Sequence, residues 1–140
     1  MAKALLIVDD EPMIHDIVSH RLEKFFDVSY RAVDGLQALE MMALHHDEIQ
    51  LVVCDIKMPR MTGIEFIKEV RKRGHQQPFI FFTAFASRQI INEVSQLGVC
   101  GFFEKTQMDG IEEAVMAGIS EQIDVLDVEM ELARLGLEGE

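Results

Sequence analysis

The clearest evidence for the fold is the run Leu51-Val52-Val53-Cys54-Asp55, four apolar residues followed directly by an acid. A strand that is apolar on both faces is typical of a parallel sheet covered by helices on each side. Asp55 then stands at the carboxyl end of that strand, a position that packing alone rarely explains for an ionisable group. The run therefore predicts a buried strand that ends in a functional carboxylate.

The same pattern of a short apolar run and a longer helical stretch repeats along the chain. Further strands are predicted at residues 4–8, 28–32, 79–83 and 101–103. Between the strands, apolar residues recur at the spacing of an amphipathic helix. Their faces are Ile14, Ile17, Val18, Leu22 and Phe25; Leu36, Leu39, Met42 and Ala43; Phe66, Ile67 and Val70; and Ile90, Ile91, Val94 and Leu97. Because strand–helix–strand crossovers are nearly always right-handed, the chain is predicted to form a doubly wound α/β sheet with helices on both faces.

The chain has the length of one domain and is strongly acidic. Its 140 residues carry 13 Lys and Arg against 25 Asp and Glu, a formal net charge of −12. Because nucleic-acid backbones and anionic membranes bind through clustered Lys and Arg, neither is expected as a direct partner. The apolar run at residues 4–8 is too short for a signal peptide or for a membrane span of roughly 20 residues, so a cytoplasmic location is expected. Cys54 and Cys100 have no CxxC spacing and are expected in the core, in a reducing compartment.

Acidic side chains follow two of the predicted strands. Asp9 and Asp10 come directly after the first strand, and Asp55 ends the third. In a doubly wound sheet the functional crevice lies at the carboxyl ends of the strands, so these aspartates are expected to meet there. Carboxylates held close together repel each other, and a bound cation relieves that repulsion. Mg²⁺ fits best, since it takes one or two carboxylates and keeps several waters.

Thr83 ends the fourth predicted strand and Lys105 follows the fifth, which adds a hydroxyl and a positive charge to the crevice. Together with a metal ion they would cradle the oxygens of a phosphoryl group. The credible nucleophile is a carboxylate, because no serine or cysteine in the sequence is paired with a base. Each residue also has a structural interpretation, Asp9 and Asp10 as acids at the start of the helix after Pro12, Thr83 as a strand residue and Lys105 as a surface charge. Their joint placement at four strand ends favours a site.

Several spaced motifs agree with this arrangement. They are Leu5-Leu6-Ile7-Val8-Asp9-Asp10-Glu11-Pro12, Ala32-Val33-Asp34-Gly35-Leu36-Gln37-Ala38-Leu39, Asp55-Ile56-Lys57-Met58-Pro59, Thr62-Gly63, Thr83-Ala84 and Lys105. On these motifs the sequence resembles the receiver domains of bacterial two-component response regulators, over about residues 3–125. The resemblance implies a flavodoxin-like, five-stranded parallel sheet of strand order 2-1-3-4-5 with five helices, and the apolar pattern near the end of the chain predicts that the last helix is extended.

The resemblance also implies roles for the residues of the crevice. Asp55 would accept a phosphoryl group from the phosphohistidine of a sensor histidine kinase or a histidine phosphotransfer protein. Asp10, Asp55 and the backbone carbonyl of Lys57 would bind Mg²⁺, or Mn²⁺ in its place, and Asp9 would bind it through a water. Lys105 would pair with the phosphoryl group. The implied protein is a signalling domain that catalyses only its own phosphorylation and dephosphorylation.

Two residues match the family's switch positions. Thr83 would move its hydroxyl onto the phosphoryl group, and Phe102 would then rotate inward. That rotation would alter the surface of the fourth helix, fifth strand and fifth helix, which signals to a partner or output domain. Lys57 and Phe85 match positions that tune phosphoryl lifetime, and we expect the bulk of Phe85 to restrict the attacking water and slow hydrolysis.

One residue departs from the family pattern. Where the family usually has a proline after the lysine, joined by a cis bond, this chain has Thr106. A cis bond before a non-proline residue costs roughly 2.5–4 kcal/mol, so the bond between Lys105 and Thr106 is expected to be trans or locally strained.

The end of the chain differs in composition from the rest. Residues 107–140 contain ten acids and one base, whereas the first 106 residues contain fifteen acids and twelve bases. Apolar residues spaced three and four apart form a heptad-like seam there, made of Met116, Ile119, Ile123, Leu126, Met130, Ala133 and Leu137. The predicted division is a receiver domain at residues 1–125 and an acidic helical extension at 126–140. The extension is a connector to an output domain, a homodimer seam or a helix folded back on its own domain.

Other functions compete with a phosphoacceptor. An aspartate-nucleophile phosphatase would place its general acid two residues after Asp55, where this chain has Lys57. A flavin-binding module needs a hydroxyl- and amide-rich loop after the first strand, where Asp9 and Asp10 would repel a phosphate. A receiver-like module that acts by protein interaction without phosphorylation is the alternative, since Thr106 replaces the family's proline. The five histidines lack the spacing of metal ligands and are expected at the surface.

Overall fold

The structure is a computed structural model that describes residues 2–84, 87–105 and 107–120. Its five strands are β1 (Ala4–Val8), β2 (Val28–Ala32), β3 (Ile49–Asp55), β4 (Phe79–Thr83) and β5 (Val99–Glu104). They form one parallel sheet in the order β2-β1-β3-β4-β5. The predicted doubly wound sheet and its strand order are therefore confirmed, and the third and fifth strands are longer than the sequence indicated.

Helices connect the strands on both faces of the sheet. They are α1 (Pro12–Leu22), α2 (Gly35–His45), α3 (Gly63–Lys72), α4 (Arg88–Val94) and α5 (Ile111–Ser120), with short 3-10 turns at Glu23–Phe25 and Ser95–Leu97. Side chains fix where several helices begin: Asp34 caps α2, Ser87 caps α4, and Thr62 and Glu65 form a reciprocal capping box on α3. These caps stand just after the carboxyl ends of β2, β3 and β4, so they also fix the loops that surround the crevice.

The core has two layers, one on each face of the sheet. Neighbouring residues of one strand point to opposite layers. Val52 and Phe81 pack with α2, α3 and α4, whereas Val53 and Phe82 pack with α1 and α5. All four are almost fully buried, which explains why these strands are apolar at every position.

Some expectations about individual residues need correction. Ile17 and Leu36 were expected on buried helix faces, but they are 38% and 47% exposed. Cys54 and Cys100 are buried free cysteines, as expected. The proposed extension at 126–140 lies outside the described residues. Within the described part of the chain, no helix is long and apolar enough to cross a membrane.

Candidate functional site

The ends of the strands bring the predicted acids together. In the pairing of β1 with β3, Val8 lies opposite Cys54, so the following residues, Asp9 and Asp55, are neighbours at the sheet edge. Carboxylate oxygens of Asp9, Asp10, Glu11 and Asp55 all lie within 4.8 Å of one another. They border a crevice of about 390 Å³ that is lined by Asp10, Glu11, Asp55, Lys57, Thr83, Ala84 and Lys105.

The acids before α1 do not serve as helix caps. Glu11 occupies the capping position, but its side chain makes no capping hydrogen bond. Instead, the Glu11 backbone N–H donates to Asp9 Oδ1 at 2.9 Å. Glu11 therefore does not cap α1 through its side chain, and the Asp10 and Glu11 side chains line the crevice instead.

Lys105 supplies the positive charge of the crevice. Its Nζ lies 3.0 Å from Asp55 Oδ2 and 3.3 Å from Asp9 Oδ2, and it also contacts the Glu11 carboxylate. Its backbone N–H donates to the Thr83 carbonyl at 2.9 Å, which ties the residue after β5 to the end of β4. Burial lowers the pKa of the Lys105 ammonium, but its hydrogen bonds to Glu11 and Asp55 and the nearby negative charges outweigh burial and raise that pKa.

Burial dominates the electrostatics of the two inner aspartates. Desolvation raises the pKa of Asp9 to about 6, against a lowering by the Glu11 N–H and a further rise from the Asp55 charge. Desolvation also raises the pKa of Asp55, opposed by Lys105 and by the backbone amides of Ile56 and Lys57. The side chains of Asp9 and Asp55 are only 1% and 5% exposed. The site thus holds carboxylates at a cost in solvation that a bound cation would offset.

A glycine brings the loop after β3 close to Asp55. The Gly63 backbone N–H donates to the Ile56 carbonyl at 2.8 Å. A Cβ atom at Gly63 would lie 2.2 Å from the Asp55 carbonyl oxygen, closer than any real contact. Only glycine fits there without a shift of the acceptor loop, which we define as residues 56–63.

The donor set of the crevice fits Mg²⁺. Its candidate ligands are carboxylate and carbonyl oxygens, which hard divalent cations prefer. Asp9 Oδ2 is a buried candidate ligand atom that accepts no hydrogen bond. The Lys105 ammonium lies 3.3 Å from it. Asp9, Asp10 and Asp55 were predicted as ligands, whereas Glu11 was not, even though its carboxylate belongs to the same cluster.

Sequence reasoning missed two supporting residues. His15 was expected at the surface, but it is 3% exposed, and its Nε2 lies 2.6 Å from the Asp9 carbonyl oxygen. Its position beside Ile14 on an otherwise apolar helix face was the available signal. Asp34 is also buried and pairs with Arg60, a contact across 26 positions that no local pattern indicates.

The predicted switch and tuning residues are only partly within the described chain. Thr83 is buried at the end of β4. Phe102 is 2% exposed and its ring centroid lies 6.3 Å from that of Phe81. Its rotation remains a prediction. Phe85 and Thr106 lie outside the described residues, and so do the predictions about them.

A parallel sheet of this order, with acids and a lysine at the carboxyl ends of its strands, defines a flavodoxin-like α/β domain with a candidate metal-binding crevice. The sequence model of the response regulator receiver domain family matches residues 5–116. The chain therefore belongs to the response regulator receiver domains of two-component systems. It is a phosphoacceptor signalling domain and not a classical enzyme, and a module that acts without phosphorylation is not favoured.

Curated relatives support this assignment. Sporulation initiation phosphotransferase F of Bacillus subtilis is 32% identical over 116 residues, which cover 82% of this chain and 92% of that protein. Transcriptional regulatory protein PdtaR of Mycobacterium tuberculosis is 27% identical over 135 residues, 95% of this chain and 64% of that protein. Regulator of RpoS of Escherichia coli is 31% identical over 99 residues, 71% of this chain. The chain matches only 29% of the length of that last relative.

Solved structures show the same fold. Chemotaxis protein CheY4 of Vibrio cholerae superposes with a TM-score of 0.73 at 26% identity, covering 84% of this chain and 99% of that one. A complex of CheX, CheY, BeF3 and Mg from Borrelia burgdorferi gives a TM-score of 0.73 at 24% identity, covering 82% of this chain and 87% of that one. At that lower identity the second likeness shows the fold alone.

Proposed function

We propose that Asp55 is the phosphoacceptor of this receiver domain. The observation that carries the proposal is the placement of its carboxylate: buried at the end of β3, beside Asp9, with Lys105 Nζ 3.0 Å from Oδ2. A carboxylate held beside a fixed ammonium group and other carboxylates meets the needs of metal-assisted phosphoryl transfer.

The proposed reaction is a displacement at phosphorus. A carboxylate oxygen of Asp55 forms a bond to phosphorus while the bond between phosphorus and the donor's imidazole nitrogen breaks. That nitrogen keeps the electron pair and takes up a proton from solvent. Lys105 exchanges part of its contact with Asp55 for the incoming phosphoryl oxygens, so its charge faces the group that gains negative charge.

Mg²⁺ would be held by Asp10, Asp55 and the backbone carbonyl of Lys57, with Asp9 acting through a water. The metal supplies positive charge that offsets repulsion between the acids and the phosphoryl oxygens. Mn²⁺ would serve in its place, because it also accepts carboxylate and carbonyl oxygens. Removal of divalent cations should therefore stop phosphorylation while the fold persists.

Thr83 and Phe102 form the proposed switch. Thr83 stands at the end of β4, and Phe102 lies on β5 against the layer that contains α4. Movement of Thr83 toward the phosphoryl group would change the packing of Phe102, and with it the surface of α4, β5 and α5. Lys57 and Phe85 would tune the lifetime of the phosphoryl group.

The proposed partners follow from the chemistry and from the relatives. The donor is a sensor histidine kinase or a histidine phosphotransfer protein, and one curated relative is itself named a phosphotransferase. Residues 126–140 would connect to an output domain, form a homodimer seam or fold back on their own domain. The domain would act in the cytoplasm, and its catalysis would be limited to its own phosphorylation and dephosphorylation.

The test is phosphorylation by a small donor. The protein is incubated with acetyl phosphate and Mg²⁺, with and without EDTA, and intact mass is measured for wild type, Asp55→Asn and the surface control Asp47→Asn. Wild type and Asp47→Asn should gain the mass of one phosphoryl group, whereas Asp55→Asn and the EDTA samples should not. An absence of mass gain in wild type, or an equal gain in Asp55→Asn, would contradict the proposal.

A further inference from the structure

Arg60 has a backbone conformation that is unusual for its residue type. Its φ is 67°, and it is the one non-glycine residue with a positive φ in the described ranges. The left-handed region is unfavourable for a residue with a Cβ atom, so other contacts have to hold it. Arg60 lies in the acceptor loop, five residues after Asp55.

The Arg60 side chain pairs with Asp34, the capping residue of α2, while the backbone bond from Met61 N–H to Pro59 O spans Arg60 itself. Arg60 Nε donates to Asp34 Oδ2 at 2.7 Å, and Nη2 contacts the same oxygen. The other oxygen, Oδ1, accepts from the Gln37 backbone N–H at 2.8 Å. The Asp34 side chain is 1% exposed and that of Arg60 is 64% exposed. Asp34 therefore links the start of α2 to the acceptor loop through a buried carboxylate.

A second contact lies beside the first. A Cβ atom at Gly35 would be 2.6 Å from the Met61 Cγ, so the start of α2 and the acceptor loop approach closely at two successive residue pairs. The loop is also closed on itself, since Met61 N–H donates to Pro59 O at 2.7 Å and Gly63 N–H to Ile56 O at 2.8 Å. The conformation at Arg60 is thus coupled to that of the whole loop.

We propose that the Arg60–Asp34 pair is a positioning device for the metal-binding end of the acceptor loop. By holding Arg60 in its left-handed conformation, the pair fixes the Lys57 carbonyl and the Ile56 and Lys57 amides beside Asp55. Arg60 is a positioning residue, because it acts through the loop. The proposal rests on the proposed function of Asp55 and Lys57.

A double-mutant cycle tests the proposal. The dissociation constant for Mg²⁺ is measured by calorimetry on wild type, Arg60→Ala, Asp34→Asn and the double variant. Each single variant should raise that constant about tenfold, the lower end of what loss of a supporting contact costs at metal sites, and the double variant should raise it no further. Arg60→Lys keeps one charged contact and should recover part of the loss.

Two further variants separate positioning from stability. Arg60→Gly removes the ion pair but adopts a positive φ freely, so its melting temperature should exceed that of Arg60→Ala while Mg²⁺ binding stays weak. Arg73→Ala removes an arginine that pairs with Glu69 at 3.1 Å on α3, and it should bind Mg²⁺ like wild type.

Some outcomes would overturn the inference. They are wild-type Mg²⁺ binding in Arg60→Ala or Asp34→Asn, additive losses in the double variant, or full recovery of Mg²⁺ binding in Arg60→Gly. Phosphorylation of wild type and Asp55→Asn is followed in parallel by intact mass. If wild type gains no phosphoryl group, the proposed function fails, and the Mg²⁺ cycle still decides the role of Arg60.

Discussion

Lys105 Nζ lies 3.0 Å from Asp55 Oδ2, and the same ammonium group contacts Asp9 and Glu11. One lysine therefore neutralises part of the charge of an acidic cluster. If Asp55 is the phosphoacceptor as proposed, we expect Lys105 to compete with a bound cation before phosphorylation and to pair with the phosphoryl group after it. The two roles predict that removing the charge of Lys105 will raise the affinity for Mg²⁺ but lower the rate of phosphorylation.

Lys105→Gln should bind Mg²⁺ more tightly and react with acetyl phosphate more slowly. Removal of a positive charge a few ångströms from the ligand oxygens favours a cation, and we expect a three- to tenfold gain, or about 1 kcal/mol, in a partly solvated site. Calorimetry gives the affinity, and intact mass against time gives the rate. Lys68→Gln, which removes a lysine of α3 that pairs with Glu93 of α4 at 2.7 Å, is the control. Weaker Mg²⁺ binding by Lys105→Gln would contradict this account of the lysine.

Asp9→Asn should stabilise the metal-free protein at neutral pH. The pKa of Asp9 is raised by burial from 3.8 to about 6, so its charged form is disfavoured in the folded state. The contribution of Asp9 to stability is present below about pH 4 and is lost as pH rises through 6. The free energy of unfolding at pH 7.5 in EDTA should therefore be about 1–3 kcal/mol higher for Asp9→Asn than for wild type.

That difference should shrink as the pH falls toward 4, because the wild-type carboxyl then becomes neutral. Urea unfolding at several pH values between 4 and 7.5 measures it. Glu40→Gln, which changes an exposed acid on α2, is the surface control. A constant difference across this range would show that burial of the Asp9 charge is not its cause.

The sequence predicted those features whose physical cause is local. Apolar strands such as 79–83 and the acid at Asp55 could be read directly, because a strand covered on both faces is apolar at every position. The acids and Lys105 could be placed together because parallel strands end at one edge. Contacts set by long-range packing could not be predicted: the Asp34–Arg60 pair spans 26 positions, and burial of His15 depends on how α1 lies over the sheet.

Arg71→Ala should reduce stability without changing the site. Its guanidinium donates to the carbonyls of Leu97 at 2.6 Å, His75 at 2.8 Å and Gln77 at 2.6 Å, so it joins the end of α3 to the segments before β4 and β5. Loss of these charged hydrogen bonds at partly buried carbonyls should cost about 2–4 kcal/mol of the free energy of unfolding.

Arg71→Lys should recover little of that stability, because one ammonium group cannot reach three carbonyls in the geometry of a guanidinium fork. Both variants should bind Mg²⁺ with wild-type affinity, since Arg71 lies near the amino ends of the strands and Asp55 at a carboxyl end. A loss of Mg²⁺ binding in a folded Arg71→Ala protein would mean that the two ends of the sheet are coupled.

Gly63→Ala should weaken Mg²⁺ binding more than it lowers the free energy of unfolding. The added Cβ would meet the Asp55 carbonyl oxygen at 2.2 Å, so either the start of α3 or the acceptor loop has to move. Gly74→Ala is the matched control, because its Cβ meets nothing within 4 Å, although its φ of 89° makes alanine strained there. Gly74→Ala should lower the free energy of unfolding by about 1 kcal/mol and bind Mg²⁺ as wild type does.

Gly63→Ala should bind Mg²⁺ at least tenfold more weakly, since a backbone shift next to Asp55 moves both its carboxylate and the Lys57 carbonyl. Equal Mg²⁺ affinities in the two variants would show that the loop yields at Gly63 without moving the ligands.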